Sequence, residues 1–114
     1  MQLEPNMYVR TKWGYICELI NINDFREPSM KYGVEANYLK DIMFIGDEDI
    51  ENAKHSLIEL VKVGDYVNGF KVNAVYDDYV WNSGEYGGAI SFHEEDIKSI
   101  VTKEQFEAMQ YEIK

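Results

Sequence analysis

The run SFHEEDIKSIVTKEQFE, residues 91–107, places an acidic triplet and an isoleucine directly after an apolar, strand-like stretch. The chain carries a similar phrase earlier, FIGDEDIENAKHSLIE at 44–59. Laying MFIGDEDI (43–50) over ISFHEEDI (90–97) sets Glu48, Asp49 and Ile50 on Glu95, Asp96 and Ile97, with Ile50 and Ile97 separated by 47 positions. Upstream, MYVRT (7–11) lies over DYVNG (65–69), so that Tyr8 meets Tyr66 and Val9 meets Val67 at a separation of 58. YICELIN (15–21) lies over KVNAVYD (71–77), with Ile16 on Val72 and Leu19 on Val75 at a separation of 56. Because the separation falls along the chain, the first copy carries a longer middle loop, and REPSMKYGVEA (26–36) is where the surplus sits. Self-similarity on this scale is one supersecondary plan used twice.

Each copy reads as turn, strand, long strand, hairpin or loop, strand, acidic turn and strand. This order resembles an SH3-like barrel, in which a one-turn helix precedes the last strand and an apolar residue plugs the barrel end. The resemblance implies a mainly β protein made of two tandem SH3-like small barrels packed together, followed by a short C-terminal helix. Unit 1 spans 1–62 with the longer internal loop, and unit 2 spans 63–114 with the helix. Ile50 and Ile97 are the plugs, and the carboxylates beside them keep the turn in water and favour the positive end of the one-turn helix. The competing architecture is one twisted antiparallel sheet covered by a helix.

Local signals fill in this outline. Tyr8 and Val9 begin a strand, Lys12-Trp13-Gly14 turns the chain, and Tyr15 to Ile22 is a strand with Ile16, Ile20 and Ile22 in near alternation. DFREPSMKYGVEAN (24–37) has Pro28, Ser29 and Gly33 and no clean period, which predicts a loop with at most a short strand. YLKDIMFIG (38–46) is a strand, and AKHSLIELVKV (53–63) is a strand or a short helix, with strand the preferred reading. Gly64-Asp65 and Asn68-Gly69 are turn dipeptides. Phe70, Val72 and Ala74 share a strand face. YVWNSGEYGGAISF (79–92) is a hairpin turning at Asn82-Ser83-Gly84, with a bulge or a close backbone approach at Gly87-Gly88. Thr102 stands three residues before Gln105, a capping box, and Phe106, Met109 and Ile113 continue at helical spacing, which predicts a helix over 103–112.

With 114 residues, 46% of them hydrophobic, the chain can build a core. Two 55-residue units would each be marginal alone, and ELVKVGDY (59–66) has no linker-like composition, so the two are expected to pack as one body. The 21 acidic residues against 11 basic give a formal charge of −10. That excludes non-specific phosphate binding, which needs Lys and Arg to displace counterions, and docking on anionic membranes. It favours solubility and a basic partner. The single cysteine, Cys17, lies in the apolar run YICELI, where a thiol behaves as a small hydrophobe. No signal pattern or ~20-residue apolar span stands out, so the expected location is the cytoplasm.

Chemical motifs are sparse. A calcium loop beginning at Asp47 needs Gly sixth and Glu twelfth, where Asn52 and Ile58 stand. His93, beside Glu94, Glu95 and Asp96, has only His55 as a fellow histidine and no converging ligand. No serine sits in a nucleophile elbow, and GEYGG lacks the lysine of a phosphate loop. No catalytic residue, metal site or cofactor is therefore assigned, and the expectation is a protein that is not an enzyme. Aromatic residues gather instead around the strands and hairpin: Trp13, Tyr15, Tyr76, Tyr79, Trp81 and Tyr86. Most of these suit cross-strand pairs; Trp13 and Trp81, near turns, are the candidate exposed contacts.

At MYVRTKWGYI, VGDYVNGFKV and EEDIKSIVTKEQFE the chain resembles small acidic proteins encoded by phages and prophages of low-GC Gram-positive bacteria. The resemblance spans most of the chain and carries no functional residue across. It implies a bacterial host cytoplasm and an accessory product that binds a host protein, of the kind that includes anti-CRISPR inhibitors and DNA mimics. Alternate residues of a strand lie ~6.6 Å apart and a DNA strand carries one charge per ~3.4 Å, so a row of carboxylates can follow phosphates coarsely. The candidate acidic partner-binding residues are Asp47, Glu48, Asp49, Glu51, Glu94, Glu95, Asp96, Glu104 and Glu107, joined by Trp13 and Trp81. The leading expectation is a non-enzymatic interaction module, with an inhibitor of a host nucleic-acid-handling or defence protein as its sharpest version. Its partner is a basic host protein, with neither nucleic acid nor membrane bound directly. A phage structural or assembly accessory and a small hydrolase or ligand-binding protein are the alternatives.

Overall fold

The computed structural model describes residues 3–36, 41–83 and 88–109. The chain divides into two compact units, Met1–Leu60 and Val61–Lys114. In the first, Tyr8–Thr11 (β1), Ile16–Ile22 (β2), Tyr32–Ala36 (β3), Ile42–Ile45 (β4) and Ile50–Lys54 (β5) form one sheet in the order β4-β3-β2-β1-β5. In the second, Tyr66–Val67 (β6), Phe70–Val75 (β7), Tyr79–Ser83 (β8), Ala89–His93 (β9) and Ile100–Val101 (β10) form another, ordered β10-β6-β7-β8-β9. Every pairing is antiparallel. The two orders are the same once each strand is numbered within its own unit: the fifth strand joins the first, and the rest follow in sequence. Among the described residues neither sheet closes on itself; β4 and β5 are the edges of one, β9 and β10 of the other.

The acidic triplets occupy equivalent places. Asp47–Asp49 and Glu94–Asp96 are each a single 3-10 turn between the fourth and fifth strands of their unit. The turns are closed by the amide of Asp49 on the Gly46 carbonyl (3.1 Å) and the amide of Ile97 on that of Glu94 (3.1 Å). Ile50, immediately after the first turn, packs on the unit 1 core; Ile97 is half-buried.

The unit 1 core comes from one face of its sheet. Register places Ala53, Val9, Cys17 and Ala36 side by side across four strands, and Leu19, Val34 and Met43 in the neighbouring row. These residues, with Leu3, Met7, Tyr32 and Ile45, form the apolar cluster. A slip in the register between Leu19 and Asn21 corrects the expected alternation in β2. Cys17 and Leu19 face the core, Ile16 is buried as well, and Ile20 is exposed.

Other expectations are met in part or corrected. The segment 24–37, expected to be a loop with at most a short strand, holds one such strand, β3, which pairs on both sides. Its period of two is carried by buried Tyr32, Val34 and Ala36, and Gly33 pairs with Asn21 on one side and Phe44 on the other. The run 53–63 is a strand only to Lys54. It then bends at His55-Ser56 and becomes a 3-10 turn, Leu57–Leu60, whose last carbonyl accepts a 2.9 Å bond from the buried Arg10 guanidinium. In unit 2, Asn82 and Ser83 belong to β8, opposite Ile90 and Ala89, and so to the strand rather than to the expected turn. Residues 84–87, and with them the expectation at Gly87, lie outside the described residues; β7 carries a register slip of its own between Val72 and Ala74. That slip sets Ala74 beside Trp81, so Phe70, Val72 and Ala74 do not share a face.

The terminal helix, Lys103–Met109 (α1), starts on the expected capping box. Gln105 N–H donates to Thr102 Oγ1 (3.2 Å), and Thr102 N–H donates to Gln105 Oε1 (3.1 Å). Phe106 stacks on Tyr66 of β6 at 4.6 Å between ring centroids; Ile113 lies outside the described residues. No helix among the described residues is long and apolar enough to cross a membrane.

Candidate functional site

The unit 1 turn is tied down by its surroundings. Tyr32 OH donates to Asp47 Oδ1 at 2.6 Å. Asp49 Oδ2 accepts the Gly46 amide at 3.1 Å, and its Oδ1 lies 3.1 Å from Lys12 Nζ. The Gly46 amide, then Lys12, hold the Asp49 carboxyl below the usual carboxylate range. Burial, then the bond to Asp47, push the Tyr32 hydroxyl up. Glu51 lies 3.8 Å from Arg10 Nε. Of the candidate carboxylates here, Asp47 and Asp49 therefore accept local hydrogen bonds and Glu51 has a basic neighbour, while Glu48 is exposed. Trp13 is 49% exposed, with Lys12 Nζ 4.9 Å from its ring.

Over this turn folds the connection between β2 and β3. It contains the one-turn helix Pro28–Met30 and presses the Pro28 carbonyl and Ser29 against Gly46. Asn23 anchors the start of the connection by accepting the Phe25 amide on Oδ1 (2.9 Å), and its own amide reaches the Lys31 carbonyl (2.9 Å). Arg26 donates to Asn21 Oδ1 (2.9 Å) and lies over the Phe44 ring.

In unit 2 the same connection, between β7 and β8, is the tight turn Tyr76–Tyr79, closed by a 2.9 Å bond from the Tyr76 amide to the Tyr79 carbonyl. Asp77 and Asp78 at its tip are exposed. Tyr79 pairs with His93, so this turn and the acidic turn Glu94–Asp96 lie at the same end of β8 and β9. Tyr76 stacks on Tyr79 at 4.6 Å, and His93 tilts against Tyr79 at 5.8 Å. Trp81, two residues along β8 on the same face, sits between Ala74 and Ser91 and is 44% exposed. The result is an aromatic patch edged by Asp77, Asp78, Glu94, Glu95 and Asp96. A ring face attracts a cation through its quadrupole, and exposed carboxylates attract one through charge, so this end of the sheet suits Lys and Arg side chains.

Structure thus gathers Glu94, Glu95, Asp96 and Trp81 at one end of unit 2. It places Asp47, Glu48, Asp49, Glu51 and Trp13 in unit 1, and Glu104 and Glu107 on α1, away from the aromatic stack in the sheet's order. Tyr76, Asp77, Asp78 and Tyr79 belong to the site without having been singled out together. Their signal was the turn YDDY itself, whose short length sets both aromatics at strand ends. Asn68, read only as a turn residue, clamps the acidic turn: its Nδ2 donates to the Asp96 carbonyl (2.9 Å), and its Oδ1 accepts from the amides of Lys98 (2.7 Å) and Ser99 (3.1 Å).

Burial pushes the Cys17 thiol up to about 11, which keeps it protonated and unreactive at neutral pH. No group of three His, Cys, Asp or Glu among the described residues is placed to hold a metal ion. The Asp49 arrangement gives a titration prediction. A carboxyl with a depressed folded-state pKa adds stability above its unfolded value and loses it as pH falls through the folded one. Lys12→Met removes one of the two groups that favour the charged form, so the Asp49 midpoint followed by carboxyl NMR will move upward, toward the unfolded value. An unchanged midpoint would mean that the Gly46 amide alone sets it.

Comparison of the chain with protein-family models, with curated proteins and with solved structures finds no match.

Proposed function

We propose that the protein is a non-enzymatic interaction module built from two SH3-like units, of phage or prophage origin, that docks on a basic surface of a host protein in the bacterial cytoplasm. The observation that supports this reading is the exposed end of unit 2. Asp77, Asp78, Glu95 and Asp96 form no ion pair with any described residue, and they border the Tyr76–Tyr79–His93 stack. Leaving charges of one sign together costs self-repulsion; a partner's cations relieve it. The formal charge of −10 adds long-range attraction to a basic surface that speeds encounter and weakens with salt.

The test is capture of basic proteins from a Gram-positive host lysate on the immobilised chain at low and high salt, followed by purified binding. Each exposed ion pair is worth ~0.2–1 kcal/mol, and reversing a charge adds repulsion. Glu95→Lys with Asp96→Lys should weaken binding roughly tenfold, while Glu48→Lys in unit 1 has a smaller effect. Salt-insensitive binding, or equal loss from both variants, would count against this end as the docking surface. Displacement of the captured protein by duplex DNA would identify the narrower version, an inhibitor occupying a nucleic-acid groove.

A further inference from the structure

The two units treat their rings and carboxylates differently. In unit 1 three cations lie over aromatic faces: Lys12 over Trp13 (4.9 Å), Arg26 over Phe44 (4.5 Å) and Lys31 over Tyr32 (5.4 Å). Arg26 and Lys31 are carried by the β2–β3 connection that roofs the acidic turn. Lys31 also pairs with Asp24 at 3.3 Å, and Lys12 with Asp49. In unit 2, Tyr76, Tyr79, Trp81 and His93 have no described cation over their rings. The roofing connection is reduced to two residues, Asp77 and Asp78, both acidic. These rings and the carboxylates of Asp77, Asp78, Glu95 and Asp96 remain, and among the described residues they lack the cations found in unit 1.

The residue before each acidic turn marks the same difference. Gly46 and His93 hold this position in extended conformations, with φ of −111° and −79°. At Gly46 the Pro28 carbonyl occupies the space of a side chain: an added Cβ would lie 2.4 Å from its oxygen. At position 93 the chain carries a whole imidazole, exposed and resting against Tyr79.

We infer that the end of unit 2 is completed by an extended, Lys- or Arg-bearing segment of a partner protein, which occupies the place that residues 23–31 fill in unit 1. This rests on the reading above, that a basic partner docks here, and adds the form of the occupant. It is a single strand of chain laid over His93 and Tyr79, with a cationic side chain on the Tyr76–Tyr79 stack and its charge met by Asp77, Asp78 and the acidic turn.

The probe is a nine-residue peptide with the sequence of residues 23–31 carrying Asp24→Asn and Glu27→Gln, which leaves Arg26 and Lys31 uncompensated. It is titrated into the full chain at low ionic strength, with backbone NMR and Trp fluorescence as readouts. The expected result is shifts confined to 76–81 and 92–96, and binding several-fold tighter than that of a scrambled peptide of the same composition. Tyr79→Leu should weaken binding roughly two- to five-fold, the worth of one exposed cation–π contact, measured below the variant's own melting transition, with the strand amide resonances showing the sheet intact. A chain in which residues 23–31 replace Asp77-Asp78 should lose the peptide at least tenfold; should that graft fail to fold, the Tyr79→Leu comparison decides. Equal binding of ordered and scrambled peptides, or shifts elsewhere, overturns the segment and leaves docking on a basic surface standing. Failure of deca-lysine to bind as well overturns both.

Discussion

Gly46→Ala will destabilise unit 1 by about 2 kcal/mol, although alanine is ordinarily the better residue outside a tight turn. The backbone at Gly46 has φ −111° and ψ 178°, which any L-residue adopts without strain. Replacing glycine there should even gain ~0.4–1 kcal/mol by restricting the unfolded chain. What opposes it is contact. The new Cβ would lie 2.4 Å from the Pro28 carbonyl oxygen and 2.9 Å from Ser29 Cα, and both are backbone atoms that cannot rotate away. Forcing atoms into a packed site costs ~1–3 kcal/mol or more, and here the β2–β3 connection must lift. At roughly 4–8 °C per kcal/mol for a unit of this size, the midpoint falls by about 10 °C. Exchange of the unit 1 strand amides in the variant gives the measurement. A double-mutant cycle isolates the cause: shortening residues 23–31 to a two-residue turn should erase the cost of Gly46→Ala, and His93→Ala in unit 2 should cost almost nothing. A full cost that persists after shortening would place the strain somewhere other than under Pro28.

That prediction turns on the difference between two units that share a strand order. The same 3-10 turn follows the fourth strand in both, and the fifth strand pairs with the first in both. Where unit 1 has spent residues on a roof, the position beneath must be glycine and the turn carboxylates find donors nearby. Where unit 2 has none, the same position holds His93, and Asp77, Asp78, Glu95 and Asp96 are exposed. Loop length decides which side chains the acidic turn tolerates, and so whether that end of the sheet is occupied by its own chain or left open.

Much of this was legible in residue order. The repeated triplet marks the equivalent turns, and the shrinking separation between copies locates the surplus in the right connection, because insertions leave strand pairing intact. The Thr102–Gln105 capping box reads directly, since its bonds join residues three apart. What did not read is whatever depends on pairing across the chain. A short strand is expected within 24–37, but the bounds and two-sided pairing of β3 were hidden by Gly33 and by Pro28 upstream, since local breakers outweigh a short alternation until β2 and β4 are known to flank it. Register slips at Leu19–Asn21 and Val72–Ala74 separated the expected face partners Ile20 from Ile22 and Val72 from Ala74, because one extra residue moves every later side chain to the other side. The site was half visible. Its acids and Trp81 stand out by type, but the joining of YDDY to HEED requires knowing that Tyr79 pairs with His93.

Asp65→Ala should cost unit 2 about 3 kcal/mol, the largest loss from any single polar side chain in that unit. In sequence Asp65 is half of a Gly-Asp turn dipeptide. In the structure it is fully buried, and its two carboxylate oxygens serve different elements. Oδ2 accepts the Lys62 amide at 2.8 Å, which closes the turn into β6. Oδ1 accepts the Lys103 amide at 2.9 Å, 38 residues later, at the first position of α1. The Asp65 carbonyl also takes the Val72 amide at 2.8 Å, so the residue joins the entry of the sheet to the start of the helix. Hydrogen bonds to a charged group are worth ~1.5–3 kcal/mol, and a buried amide left without an acceptor costs ~1–3 kcal/mol. Alanine forfeits both bonds and strands both amides, which water around the exposed Lys62 and Lys103 side chains partly relieves. Asn is the informative comparison: it keeps one acceptor oxygen and turns an amino group toward the other amide, so Asp65→Asn should still cost about 2 kcal/mol. Thr102→Ala, which removes only the local cap, should cost about 1 kcal/mol. Urea unfolding read through the Tyr66–Phe106 region, where α1 meets β6, orders the three variants. If Asp65→Ala proved no worse than Thr102→Ala, the helix would be held by its own capping box and by Phe106, and the long-range bond to Lys103 would contribute nothing to the stability of unit 2.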